Sequence, residues 1–106
     1  MSLDVSLVGK GGCVFAANIT HNLGYMADKA GIYKHCWRPE EIGIQRAGDL
    51  IEPLSEAIND MENRPEYYKK FDSPNGWGLY DNFLPWLEDY LTACKENPGA
   101  TIEVDR

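Results

Sequence analysis

Asn18-Ile19-Thr20-His21-Asn22 is the stretch on which the fold turns, because it carries four polar side chains at the point where strand-like spacing gives way to helical spacing. Before it, Leu3, Val5 and Leu7 alternate with polar residues, as one buried face of a strand does. Gly9-Lys10-Gly11-Gly12 reads as a turn, and Cys13-Val14-Phe15-Ala16-Ala17 as a second extended run, so the opening residues predict a β-hairpin. After it, Ile19, Leu23, Met26, Ala27 and Ala30 fall on one helical face. Asn18 or Thr20 is placed to cap that helix, with His21 and Asn22 in its first turn.

Downstream, Ile32–Trp37 is a short aromatic helical turn, and Pro39 followed by Glu40-Glu41 starts another short piece. Ala47, Leu50, Ile51, Leu54, Ile58 and Met61 mark a long helix that Pro53 either kinks or pushes to a later start. Pro65 opens a short helix bearing Tyr67, Tyr68 and Phe71. The run from Asp72 to Gly78 is a loop by its Pro-Asn-Gly chemistry. A last helix spans Leu79 to Lys95, Asn97-Pro98-Gly99 stops it, and Thr101–Val104 alternates like a strand. The expectation is a predominantly helical α+β domain, with about four helices and two or three short strands from the two chain ends. It forms a single globular domain over residues 1–106, with Met1-Ser2-Leu3 set aside as a cloning remnant.

A chain of 106 residues with 43% hydrophobic residues has room for one packed core and no second one. The formal net charge of −7 makes the chain acidic and argues against nucleic-acid partners, whose phosphates such a field repels. No apolar run reaches the roughly 18–20 residues of a membrane helix. The three cysteines, Cys13, Cys36 and Cys94, sit among apolar neighbours at long spacings, which reads as buried thiols in a reducing cytoplasm.

Several segments together resemble a small family of proteins from bacteria and their phages. They are Asn18–Asn22, Ala30-Gly31-Ile32-Tyr33, Trp37-Arg38-Pro39-Glu40, Pro74-Asn75-Gly76-Trp77-Gly78 and Ala93-Cys94, and the likeness covers roughly Val14 to Val104. The family carries no established activity, so the resemblance implies a stand-alone cytoplasmic protein and brings no catalytic residues with it.

By residue type His21 is the best candidate for proton transfer, but no partner is linked to it by spacing, and the plainer reading is a first-turn histidine bonded to the backbone or to Asn18. His21, His35 and Cys36 have no zinc-ligand spacing, so no metal or cofactor is expected. Neither a nucleophile elbow nor a phosphate loop is present. The candidate ligand site is where Asn18, Thr20, His21 and Asn22 meet Asn75, Trp77 and Tyr80, with Trp77 and Tyr80 as stacking surface. The simpler reading of the loop is a turn whose tryptophan plugs the core. The sequence thus predicts a small non-enzymatic cytoplasmic binding or interaction domain, with a homodimer or protein partner. A small-molecule-binding protein or enzyme using the polar junction is the alternative.

Overall fold

Strand β1 (Ser2–Gly9) buries Leu3, Val5 and Leu7 completely and turns Ser2, Asp4 and Ser6 the other way. The computed structural model describes residues 2–106. The glycine turn folds β1 back onto β2 (Gly12–Thr20), antiparallel, with Leu3 opposite Ile19, Val5 opposite Ala17 and Leu7 opposite Phe15. Val8 pairs with Cys13, which leaves Val14 as the extra residue of a bulge. Strand β3 (Thr101–Asp105) joins the other side of β1, giving the order β2-β1-β3.

The helices are α1 (Gly24–Lys29), α2 (Tyr33–Trp37), α3 (Ile51–Asn63), α4 (Pro65–Lys69) and α5 (Tyr80–Glu96). In α3, Pro53 is the third residue, where its missing N–H belongs to the unpaired first turn, so the helix starts at Ile51 and needs no kink there. Pro85, in contrast, lies inside α5. That helix begins where Asp72 Oδ1 accepts from the Tyr80 N–H at 2.7 Å, a cap supplied by the preceding loop. α3 packs on α5, and α5 lies against the inner face of the sheet, where Tyr90 stacks on Phe15 with ring centroids 5.9 Å apart. One continuous core results, built from Leu3, Val5 and Leu7, Met26, Trp37, Leu50, Leu54, Met61, Phe83, Leu87 and Tyr90. Each fully buried leucine in it contributes about 1.5–3 kcal/mol by removal from water.

The expected architecture of about four helices with short strands at the two chain ends is corrected in two respects. Among the described residues there are five α-helices and three 3-10 turns, together about 54% of the chain. The strands are not confined to the chain ends, since β2 is nine residues long and runs on to Thr20. The physical reason lies in Ile19. It fits a helical face by spacing, but it equally continues the Phe15, Ala17, Ile19 alternation, and pairing with Leu3 buries it. The helix therefore starts later, after a 3-10 turn at His21–Leu23. Ser2 and Leu3, set aside on sequence grounds, are strand residues, with Leu3 fully buried; Met1 lies outside the described residues. Among the described residues no helix is long and apolar enough to cross a membrane.

Candidate functional site

The end of β2, the 3-10 turn after it and the loop from Asp72 to Gly78 enclose a cleft of about 480 Å³, lined by Ser2, Asn18, Thr20, His21, Asn22 and Trp77. Its wall is assembled by short-range chemistry. Thr20 Oγ1 accepts from the Asn22 N–H at 3.2 Å and caps the turn. Asn18 is not a cap: its Nδ2 donates across the sheet to Ser2 Oγ at 2.9 Å and to Asp4 Oδ1 at 2.8 Å.

The loop is closed on itself before it meets the junction. Asn75 Oδ1 accepts from Ser73 Oγ at 2.6 Å and from the Trp77 N–H at 2.9 Å, and the Ser73 N–H donates to Gly78 O at 2.8 Å. Docking is by Asn22, whose Nδ2 donates to Trp77 O at 2.7 Å. Gly78 makes that approach possible. Its φ is +148°, and a Cβ there would stand 3.0 Å from Asn22 Cβ. The indole of Trp77 is left 72% exposed. The expectation that it plugs the core is therefore wrong; the loop meets the junction through the Trp77 carbonyl while the ring stays in solvent.

His21 has a role that spacing did not show. Its Nδ1 accepts from Trp37 Nε1–H at 2.9 Å, and Trp37 is only 2% exposed. The indole is held by Tyr33, stacked at 5.4 Å, and by Phe83 at 6.4 Å, while Arg106 Nη1 donates to the Trp37 carbonyl at 2.7 Å. With Nδ1 accepting, the neutral ring carries its proton on Nε2. It then has one donor to offer and no free lone pair, so in this arrangement it acts as a hydrogen-bond donor and not as a base.

Two predicted members stand elsewhere. Asn75 spends its side-chain oxygen inside the loop and is not on the cleft wall. Tyr80 is 7% exposed and its hydroxyl donates to Met61 O at 2.8 Å, so it is core and not a stacking surface. Ser2 is the member that sequence reasoning discarded. The hairpin register, which sets it opposite Thr20, was the signal that could have found it.

A second concavity, about 440 Å³, is lined by Lys29, His35, Glu56, Asp60 and Tyr68, among others. Asp60 there accepts from Arg64 at 2.6 Å and from the Tyr68 hydroxyl, and the Arg64 guanidinium, helped by that hydroxyl, holds its carboxyl below the usual carboxylate range. Burial, reinforced by the bond to Asp60, pushes the Tyr68 hydroxyl up to about 12. His35 and His21 thus line different clefts. Burial pushes the Cys36 thiol far up and that of Cys94 up to about 12, which makes both poor nucleophiles. Cys13 is exposed instead, because it lies beyond the bulge on the outward face of β2. Among the described residues no three or more His, Cys, Asp or Glu side chains converge as a metal site.

Burial lowers the pKa of His35 from 6.5, and its Nδ1 has no hydrogen-bond partner among the described residues. The folded state then binds this proton less readily than the unfolded chain, so stability rises with pH in the window just below 6.5 and is lost on acidification through it. Urea midpoints measured across that window should fall as pH falls, and His35→Phe should flatten the slope. An unchanged slope in that variant would assign the acid sensitivity to other groups.

No family model, curated protein or solved structure matches this chain. The resemblance to bacterial and phage proteins gains no independent relative, and the function has to be argued from the site itself.

Proposed function

We propose that this chain is a non-enzymatic binding domain whose contact site is the Trp77 cleft, and that it engages a protein partner there. The observation that carries the reading is the exposed indole of Trp77, borne on a loop whose backbone Asn22 binds at the Trp77 carbonyl. Leaving so large an apolar ring in water is unfavourable, and a loop backbone already held in place loses less entropy when a partner covers the ring. Tryptophan is also the residue most often found to dominate binding at protein interfaces. The contact between Asn22 and Trp77 joins the two segments on which the bacterial and phage resemblance chiefly rests, which supports treating them as one functional unit. Three free cysteines, one of them exposed, suit a reducing compartment such as the cytoplasm, and the charge of −7 suits partners other than nucleic acid.

A second reading follows from the lining. Serine, threonine, two asparagines and a neutral histidine supply donors and acceptors without any carboxylate, lysine or arginine. Such a wall beside an exposed ring suits a neutral polyhydroxylated small molecule, and the volume lies within the range of small-ligand sites.

Peptide and glycan arrays probed with the labelled chain and with Trp77→Ala test both readings. The variant should fold as the native chain does, since the side chain is mostly exposed. Hits weakened roughly tenfold or more by the substitution would support the site, peptides favouring the first reading and glycans the second. Hits indifferent to Trp77→Ala, or none on either array, would remove it.

A further inference from the structure

We infer that the free edge of β2 is a self-pairing surface, which joins two copies of the chain antiparallel into a six-stranded sheet. The two edges of the sheet differ. At β3 the start of the outer edge is occupied: the Ile102 N–H donates to Gln45 O at 3.0 Å, Arg46 forms a bridge with Thr101, and Arg46 Nη1 donates to Thr101 Oγ1 at 2.8 Å, while the rest of the strand, Glu103 to Asp105, carries two carboxylates. At β2 only the β1 side is paired, and among the described residues no backbone hydrogen bond from outside the sheet reaches residues 12–20. Alternate residues of this nine-residue strand thus present N–H and C=O groups without a backbone partner along one side, and the Phe15 carbonyl accepts from Cys13 Sγ at 3.3 Å.

Charge identifies the occupant. Gly11 to Asn22 contains no Asp, Glu, Lys or Arg, in a chain of net charge −7. Two copies repel each other over most of their surface, and β2 is a strand edge at which they can meet without like charges opposed. Nor does the strand carry the lysine or proline that guards many edges. An antiparallel strand paired with itself is two-fold symmetric, so the assembly closes at two copies.

The bulge at Val14 ends the flat stretch, which leaves Phe15 to Thr20 for pairing. Placing Ala17 opposite Ala17 of the second copy keeps the helices of both copies on one side. Phe15 then faces Ile19 on that side and Ala16 faces Asn18 on the open side, an aromatic-aliphatic pair above and small uncharged pairs below. Edge pairing alone buries less than the roughly 1,000 Å² of a tight interface, so the dimer is a micromolar, reversible one. The inference does not depend on the Trp77 cleft.

Sedimentation in reducing buffer, which prevents a trivial disulfide through Cys13, tests it. The native chain should reach twice its monomer mass as concentration rises through the micromolar range. Ala16 is exposed, so Ala16→Lys and Ala16→Glu keep the fold, as circular dichroism would verify. In the dimer the two copies of residue 16 are diagonal neighbours, roughly 7–8 Å apart, within the reach of side-chain charge. Each variant alone should dimerise roughly tenfold or more weakly, and an equal mixture of the two should recover association. A monomer at every concentration, a dimer indifferent to both substitutions, a mixture that fails to recover, or open-ended larger assemblies would each overturn it.

Discussion

His21→Leu should lower the free energy of unfolding by about 1–3 kcal/mol, the cost of stranding a buried donor without an acceptor. In a domain of this size that amounts to a fall in Tm of roughly 4–8 °C for each kcal/mol lost. The loss does not come from the histidine's own burial, which is partial. It comes from Trp37, whose Nε1–H is enclosed by Tyr33 and Phe83 and has His21 Nδ1 as its acceptor at 2.9 Å. A double-mutant cycle isolates this. Trp37→Phe removes the donor, and in that background His21→Leu should cost much less, because two apolar partners leave nothing unsatisfied. Equal costs in both backgrounds would show that His21 and Trp37 do not interact energetically, and would reopen a functional role for the ring.

Gly78→Ala should be the most damaging change in the loop, costing about 2–4 kcal/mol from a strained backbone together with overlap against Asn22. The overlap is with fixed groups: the added Cβ would be 3.0 Å from Asn22 Cβ and 3.3 Å from its backbone carbonyl carbon. Relief requires the loop to lift, which breaks the bond from Asn22 Nδ2 to Trp77 O. Gly76→Ala is the control. Gly76 also has positive φ, at +77°, but a Cβ there meets nothing, so only the left-handed strain of about 1–2 kcal/mol applies. The indole resonance of Trp77 should shift strongly in Gly78→Ala and little in Gly76→Ala. Any ligand found on the arrays should be lost in the first and kept in the second. Equal effects of the two substitutions would mean that the loop is not clamped on Asn22.

The hairpin was legible because its signals are local. Leu3, Val5 and Leu7 alternate, glycines mark the reversal, and a register follows from the turn. Where that register ended was not legible. Ile19 satisfies both a strand period and a helix period, and the choice depends on Leu3, sixteen residues away in the chain. Ser2 was set aside with the cloning remnant, and its pairing with Thr20 is what brings it to the cleft wall. The meeting of the Asn18–Asn22 stretch with the Trp77 loop could be guessed from polar and aromatic composition. Its geometry could not, since Trp77 docks through its backbone carbonyl and Tyr80 turns into the core.

What the sequence by itself determined was the punctuation: a cap at Asn18 or Thr20, the glycine-rich reversal, the turn at Pro74-Asn75-Gly76 and the stop at Pro98-Gly99. These depend on neighbours within a few residues, where dihedral preference and side-chain capping dominate. Only the tertiary structure decided that His21 serves the indole of Trp37, that Trp77 stays in solvent, and that the start of β3 is covered at its outer edge while β2 is not. Each of those outcomes turns on which distant segment reaches a polar group first, and burial makes that competition worth more than any local preference.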